Sequence, residues 1–136
     1  MSIANTPIPH MLPEDTEVFM RWLHRYGSLF DSFDYDVRVG QGRDPGPTYP
    51  QNIRQMAISL SQRRIDCVAY RRDSIHIIEV TKTADMTALG QVTAYPILFR
   101  QTYETTARLI PAVVCEHLGS DVEIAYRRSN VTIYRV

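Results

Sequence analysis

The sequence predicts one α/β domain in which a mixed central β-sheet is flanked by helices on both faces. Three observations carry that expectation. Residues 13–26 read as an amphipathic helix. Two almost continuously apolar segments, RIDCVAYR and SIHIIEVT, follow one another across a tight turn. Helical and strand periodicities then alternate to the end of the chain.

Each element has its own signal. Residues 1–12, with Pro7 and Pro9 and no apolar periodicity, read as an extended arm that would be ordered by contact with another chain, leaving 13–136 as the domain. Pro13 suits a first helical position, and the acids Glu14, Asp15 and Glu17 favour the N-terminal turn. Val18, Phe19, Trp22, Leu23 and Tyr26 mark the buried face, and Gly27 is a natural stop. Phe33, Tyr35, Val37 and Val39 alternate with Asp34, Asp36 and Arg38, the pattern of a half-buried strand. GQGRDPGPTYPQN is loop chemistry. Residues 53–60 fit either a helix (Ile53, Met56, Ala57, Leu60) or a strand (Met56, Ile58, Leu60), and the helix is preferred. The strands RIDCVAYR and SIHIIEVT, turned at Arg72-Asp73, are apolar enough to be covered on both sides. A helix over 84–104 is expected, capped by Thr83 and kinked by Pro96. LIPAVVCE, the helix 121–130 and VTIYRV complete the order α-β-(α)-β-β-α-β-α-β.

Composition narrows the function. The chain has 136 residues, 44% of them hydrophobic, which suits one folded core. No apolar run approaches the roughly 18 residues of a membrane span, and the N-terminal residues carry no secretory pattern. The expected setting is the cytoplasm or a virion, with no membrane partner and no secretion. Zero formal charge argues against a protein held to nucleic acid by bulk charge. Of the fifteen basic residues only Lys82 is a lysine. The arginines include the pairs Arg63-Arg64, Arg71-Arg72 and Arg127-Arg128, which serve as solvated ion-pairing faces or, if the fold gathers them, as phosphate contacts. Cys67 and Cys115 sit in apolar runs and read as free buried thiols. His10, His24, His76 and His117 are scattered singly and read as packing or surface residues.

Three polar residues stand where a core is expected: Asp66 in the first central strand, Glu79 near the end of the second, and Gln91 in the following helix. A charge in a central strand is costly unless it is paired or bound to metal. Two acids on neighbouring strands form a hard-oxygen pair suited to Mg²⁺ or Mn²⁺, and such an ion activates water against a phosphate. The bland alternatives are structural acids paired with Arg63, Arg64 or His76, and a helix-to-sheet hydrogen bond made by Gln91 and Tyr95.

The segment RRIDCVAYRRDSIHIIEVTKTADMTALGQVTAYPILF resembles the PD-(D/E)xK superfamily of metal-dependent nucleases, whose fold is restriction-endonuclease-like. The resemblance implies that Asp66 is the first acid and Glu79 the acid of the (D/E)xK element. It makes Gln91 and Tyr95 the QxxxY helix of RecB-like branches, and Glu14 or Glu17 a helix-one acid aimed at the metal. The segment also resembles small phage proteins that read RIDxV, IIEVK, ALGQ and Y in that order. The departure is at position 81: the pattern asks for lysine, and here Thr81 precedes Lys82. Residues 79 and 81 share a strand face while 82 points away, so Lys82 could serve only through a bulge or past a strand end.

Two function classes follow. In the first, the protein is a Mg²⁺-dependent DNA endonuclease: Asp66 and Glu79 hold metal, Lys82 orients water, Gln91 steadies the site, and Arg63, Arg64, Arg71 and Arg72 hold phosphate. In the second, the fold is a pseudo-enzyme, a structural or nucleic-acid-adjacent part of a larger assembly such as a phage neck or head-completion complex, with other protein subunits or further copies of itself as partners. Thr81, the neutral charge and the lack of any segment that reads as a DNA-targeting domain favour the second.

Overall fold

The computed structural model describes residues 11–136, so the arm expected at 1–12 lies outside the described residues apart from Met11 and Leu12. Helix α1 (Pro13–Tyr26) begins at the proline, and the Gly27 N–H closes it on the Leu23 carbonyl. A 3-10 turn at Gly27–Leu29 leads to strand β1 (Ser32–Val39), and then come helix α2 (Gln51–Ser61), β2 (Arg63–Tyr70), β3 (Ser74–Val80) and the short β4 (Thr83–Ala84). The chain continues through α3 (Met86–Tyr103), β5 (Arg108–Cys115), the short β6 (His117–Leu118), α4 (Ser120–Arg128) and β7 (Thr132–Arg135). None of these helices is long and apolar enough to cross a membrane.

The main sheet has the order β1-β2-β3-β5-β7. Its first two pairings are antiparallel and its last two parallel. α1 covers one face, burying Val18, Phe19 and Trp22 against Cys67, Ala69, Ile78, Val80, Ala112 and Val114. α3 and α4 cover the other through Leu89, Val92, Tyr95, Phe99 and Tyr126. The strands β2, β3 and β5 are therefore covered on both sides, as their apolar runs require. Cys67 and Cys115 are free and buried.

The structure departs from the sequence expectation at the cap of α3 and in the alternation of β1. The cap of α3 is Asp85, whose Oδ1 accepts the Ala88 N–H at 2.9 Å, because Thr83 is already engaged in the β4–β6 ribbon. α3 is continuous from Met86 to Tyr103 with Pro96 inside it. The regular alternation of β1 breaks at Asp36, a non-glycine residue with φ of 54°. Phe33 and Tyr35 pack toward α1, whereas Val37 and Val39 pack toward α3. β2 reverses at the facing position: Cys67 lies in the α1 cluster and Ile65 in the α3 cluster, with Asp66 between them.

The ambiguous segment is helix α2, which buries none of its residues. It is held instead by the loop before it. Arg54 bonds Asp44 at 2.6 Å, the Arg43 N–H reaches Ser61 Oγ at 2.6 Å, and Gln62 Nε2 donates to the Gly40 carbonyl at 2.7 Å. Gly42 makes the approach close: its φ is +68°, and a Cβ there would lie 2.3 Å from the Ile58 carbonyl oxygen. Gly42→Ala should therefore cost about 1–3 kcal/mol and loosen α2, read as lost amide protection over residues 51–61.

His76 on β3 is buried, its ring edge-on to Phe30 at 4.9 Å and its Nε2 3.1 Å from Ser74 Oγ. Burial, with Arg71 and Arg108 nearby, lowers its pKa. A depressed histidine pKa gives stability that is present above the unfolded value of about 6.5 and lost as pH falls through the folded one. The wild type should lose stability from pH 6.5 toward 5 with a slope of up to about 1.4 kcal/mol per unit more than His76→Gln, measured by urea unfolding.

Candidate active site

The site lies at the end of the β2–β3 pairing. Cys67 is in register with Ile78, so the next position outward sets Asp66 beside Glu79. The Val80 N–H donates to Asp66 Oδ2 at 2.8 Å and fixes that carboxylate. Glu79 shares the strand face of Ile77, toward α3. The two carboxyl groups are apposed closely enough that each acts on the other's titration. Glu79 Oε2 is buried and receives no N–H or O–H donor from the other described residues. Burial, then the charge of Asp66, raises the Glu79 pKa far above the carboxylate range. Burial also raises that of Asp66, opposed by the adjoining Glu79 carboxyl and the Val80 N–H and reinforced by the charges of Asp15 and Asp36. A proton shared within the pair offsets the like charges.

Helix α1 contributes Asp15, in place of the Glu14 or Glu17 implied by the resemblance. Glu14 and Glu17 are exposed, whereas Asp15 is partly buried and acts on both acids. Asp15 stands four residues before Phe19 and seven before Trp22, on the buried stripe of α1, and this spacing was visible in the sequence. Its Oδ1 accepts the Lys82 N–H at 2.8 Å, tying the end of β3 to the start of α1. Asp36 faces Asp66 across β1–β2, and its Oδ1 lies 3.7 Å from Arg64 Nε.

β3 ends at Val80, so the structure supplies the strand end that a displaced lysine needs. Thr81 keeps the β5 ladder through its N–H on the Val114 carbonyl, while its hydroxyl donates to the Thr83 carbonyl within its own turn. The Lys82 side chain is exposed and forms no ion pair with a described residue. Tyr95 is buried, and burial with the charges of Glu79 and Asp66 pushes its pKa up to about 12, so its phenol stays protonated beside the pair. Gln91, one turn earlier on α3, is exposed and hydrogen-bonds to no described residue. The α3 side chain beside the acids is Tyr95.

The arginine pairs do not converge. Arg63 and Arg64 open β2 at the acid end, whereas Arg71 and Arg72 lie beyond its far end, roughly 20 Å along the strand. Arg127 is committed to Glu123 at 2.8 Å on α4. Arg63, exposed and close enough to act on Tyr95, is the arginine at the rim of the site.

No cluster of three or more His, Cys, Asp or Glu side chains able to hold a metal occurs among the described residues. The donor set nevertheless fits Mg²⁺ or Mn²⁺, because such ions are held by one or two carboxylates and complete their shell with water and phosphate. Without a cation the raised acids cost stability. A carboxyl whose pKa is raised by folding favours the fold fully below its unfolded value, and that contribution fades as pH rises through the folded one. Glu79→Gln should therefore stabilise the metal-free protein by about 1–3 kcal/mol, with the gain growing above pH ~4.5. Adding Mn²⁺ should raise the Tm of the wild type and leave that of the variant unchanged.

No family model matches the chain, and no curated protein matches it. Among solved structures it is similar to a repair endonuclease from Pyrococcus abyssi, with a TM-score of 0.56 and 13% sequence identity over 93% of this chain. The match covers 48% of that protein, so the chain spans about half its length. Likeness at this identity carries the fold alone. The chain has a restriction-endonuclease-like fold, a mixed sheet flanked by helices.

Proposed function

We propose that the protein is a divalent-metal-dependent phosphodiesterase acting on DNA, with Asp66 and Glu79 as the metal-holding acids. The observation that carries this reading is the pair itself: two apposed, largely buried carboxyls, one with an oxygen that lacks a donor. A structural role would call for a cationic partner, and the nearest ion pair, Arg64 with Asp36, is made by another acid. When bound, Mg²⁺ or Mn²⁺ would polarise the phosphate and lower the pKa of a coordinated water. The protein's own part is to release the proton shared by Glu79 and Asp66 so that both present acceptors. Asp15 fixes the Lys82 backbone beside them, and the flexible stem of Lys82, the only lysine of the sequence, would carry its ammonium toward the phosphate. Arg63 stands at the rim to hold it.

A second reading has its own observation. Thr81 occupies the position given to lysine in the nuclease pattern and turns its hydroxyl into a local turn, which suits a non-catalytic scaffold in a larger, phage-like assembly.

Plasmid nicking over a metal series separates the two. Slow nicking is expected, because charge supplied from position 82 instead of 81 forfeits a rate factor of about 10²–10³. Asp66→Ala should abolish it, Lys82→Ala should reduce it at least about tenfold, and Thr81→Lys should raise it. If Mn²⁺ binds yet Thr81→Lys still cuts nothing, the scaffold reading replaces the enzyme.

A further inference from the structure

Two hollows of about 510 Å³ each adjoin where the loop after β1 meets α3, and they share Gly40, Gln41 and Leu98. Together they make one groove, and a volume in this range takes a ligand of nucleotide size. Arg43, Arg63, Ser61 and Gln62 line its first part, and Gln101 and Thr102 its second. No acid lines either part. The shape is set by bonds already made. The Gly40 N–H donates to Thr102 Oγ1 at 3.0 Å, Gln62 Nε2 donates to the Gly40 carbonyl, and the Arg43 N–H donates to Ser61 Oγ. These bonds leave the guanidiniums of Arg43 and Arg63 exposed, with no bond or ion pair to any described residue. The acid next to Arg43 does not neutralise it, because both oxygens of Asp44 are held by Arg54, at 3.0 and 2.6 Å.

The groove runs into the acid site. Arg63 shares the strand face of Ile65, toward α3, and acts on Tyr95, the α3 side chain beside the acids. Asp66 lies three residues further along β2, roughly 10 Å from it. Both cations stand on one wall, formed by the loop and the start of β2. The facing wall, on α3, presents Leu98, Gln101 and Thr102, all uncharged. Charge on one side and a neutral wall on the other fit one nucleic-acid strand. Its phosphates would lie against the arginines, and its sugars and bases against Leu98 and Gln101. A duplex would present phosphates to the neutral wall as well.

We propose that this groove seats a single DNA strand flanking the phosphate at the acid pair, with Arg63 at its mouth and Arg43 holding a phosphate further along. The proposal rests on the phosphodiesterase reading for its choice of DNA. It adds the form of the strand and a residue, Arg43, that contacts it.

Binding of a fluorescein-labelled single-stranded oligonucleotide to the full chain, followed by anisotropy in EDTA, tests the proposal without cleavage. Affinity should fall as NaCl is raised. Arg43→Ala and Arg63→Ala should each weaken binding at least about fivefold, and each should flatten the plot of log affinity against log salt by about 0.7. Arg43→Lys should keep the slope, since it keeps the charge. Arg72→Ala, which removes the same charge beyond the far end of β2, should change neither. Gln101→Glu should weaken binding by setting a like charge against the strand. All four residues are exposed, and the Tm of each variant confirms folding. A protein that binds no single strand overturns the proposal, as does one indifferent to Arg43→Ala or equally weakened by Arg72→Ala. A duplex of the same sequence bound as tightly overturns it too. Binding that depends on Arg43 without metal-dependent nicking keeps the groove and removes the enzyme, whereas nicking with binding indifferent to Arg43 does the reverse.

Discussion

Two like acids held side by side in a low-dielectric pocket are the constraint to which the rest of this structure answers. Asp66 and Glu79 can be neighbours only because β2 and β3 pair in one register, and they are partly buried because α1 and α3 cover both faces. That juxtaposition works against folding, so stability must come from elsewhere. Much of it lies on the α1 face, where Trp22 is fully buried and meets Phe19, Phe30, Phe33 and Tyr134 at ring separations of 5.5–6.2 Å. Aromatic clusters of this kind bury large areas per residue. The strongest packing and the least favourable electrostatics thus sit on opposite sides of the same strands.

Much of this arrangement was legible in the residues. The helix at 13–26 and the central strands announced themselves because their apolar periodicities match the faces they bury. The acids were legible because a charge in a central strand has few innocent explanations. The ribbon of β4 and β6 was not, since two-residue strands carry no period. That omission also misplaced the α3 cap, giving Thr83 a role that belongs to Asp85. The reversal at Asp36 was hidden as well: alternation in a sequence reports a regular strand, and a single left-handed residue changes the buried side without altering the pattern. The groove beside Arg63 draws on the loop after β1, the start of β2 and α3, and no single segment foreshadows it.

The end of β3 shows how one displaced residue changes its chemistry. Thr81 is the last residue to hold the β5 ladder, and the backbone then turns so that the Lys82 carbonyl receives the Glu116 and His117 N–H groups. With its N–H on Asp15 and its carbonyl doubly bonded, Lys82 has a fixed backbone and an untethered side chain. A lysine inside the strand would be ordered by its neighbours. One at this turn must be ordered by whatever anion it meets, at a cost in side-chain entropy.

The left-handed residue in β1 has a consequence beyond the acid it faces. β1 is an outer strand of the main sheet, and an outer strand offers unpaired N–H and C=O groups to any passing chain. With φ at 54°, Asp36 turns one peptide out of the common direction, and the Asp36–Asp66 position is missing from an otherwise continuous ladder. An incoming strand would lose bonds at the middle of its register and meet the acid besides. The irregularity that accompanies Asp66 therefore also protects the protein against runaway edge-to-edge polymerisation.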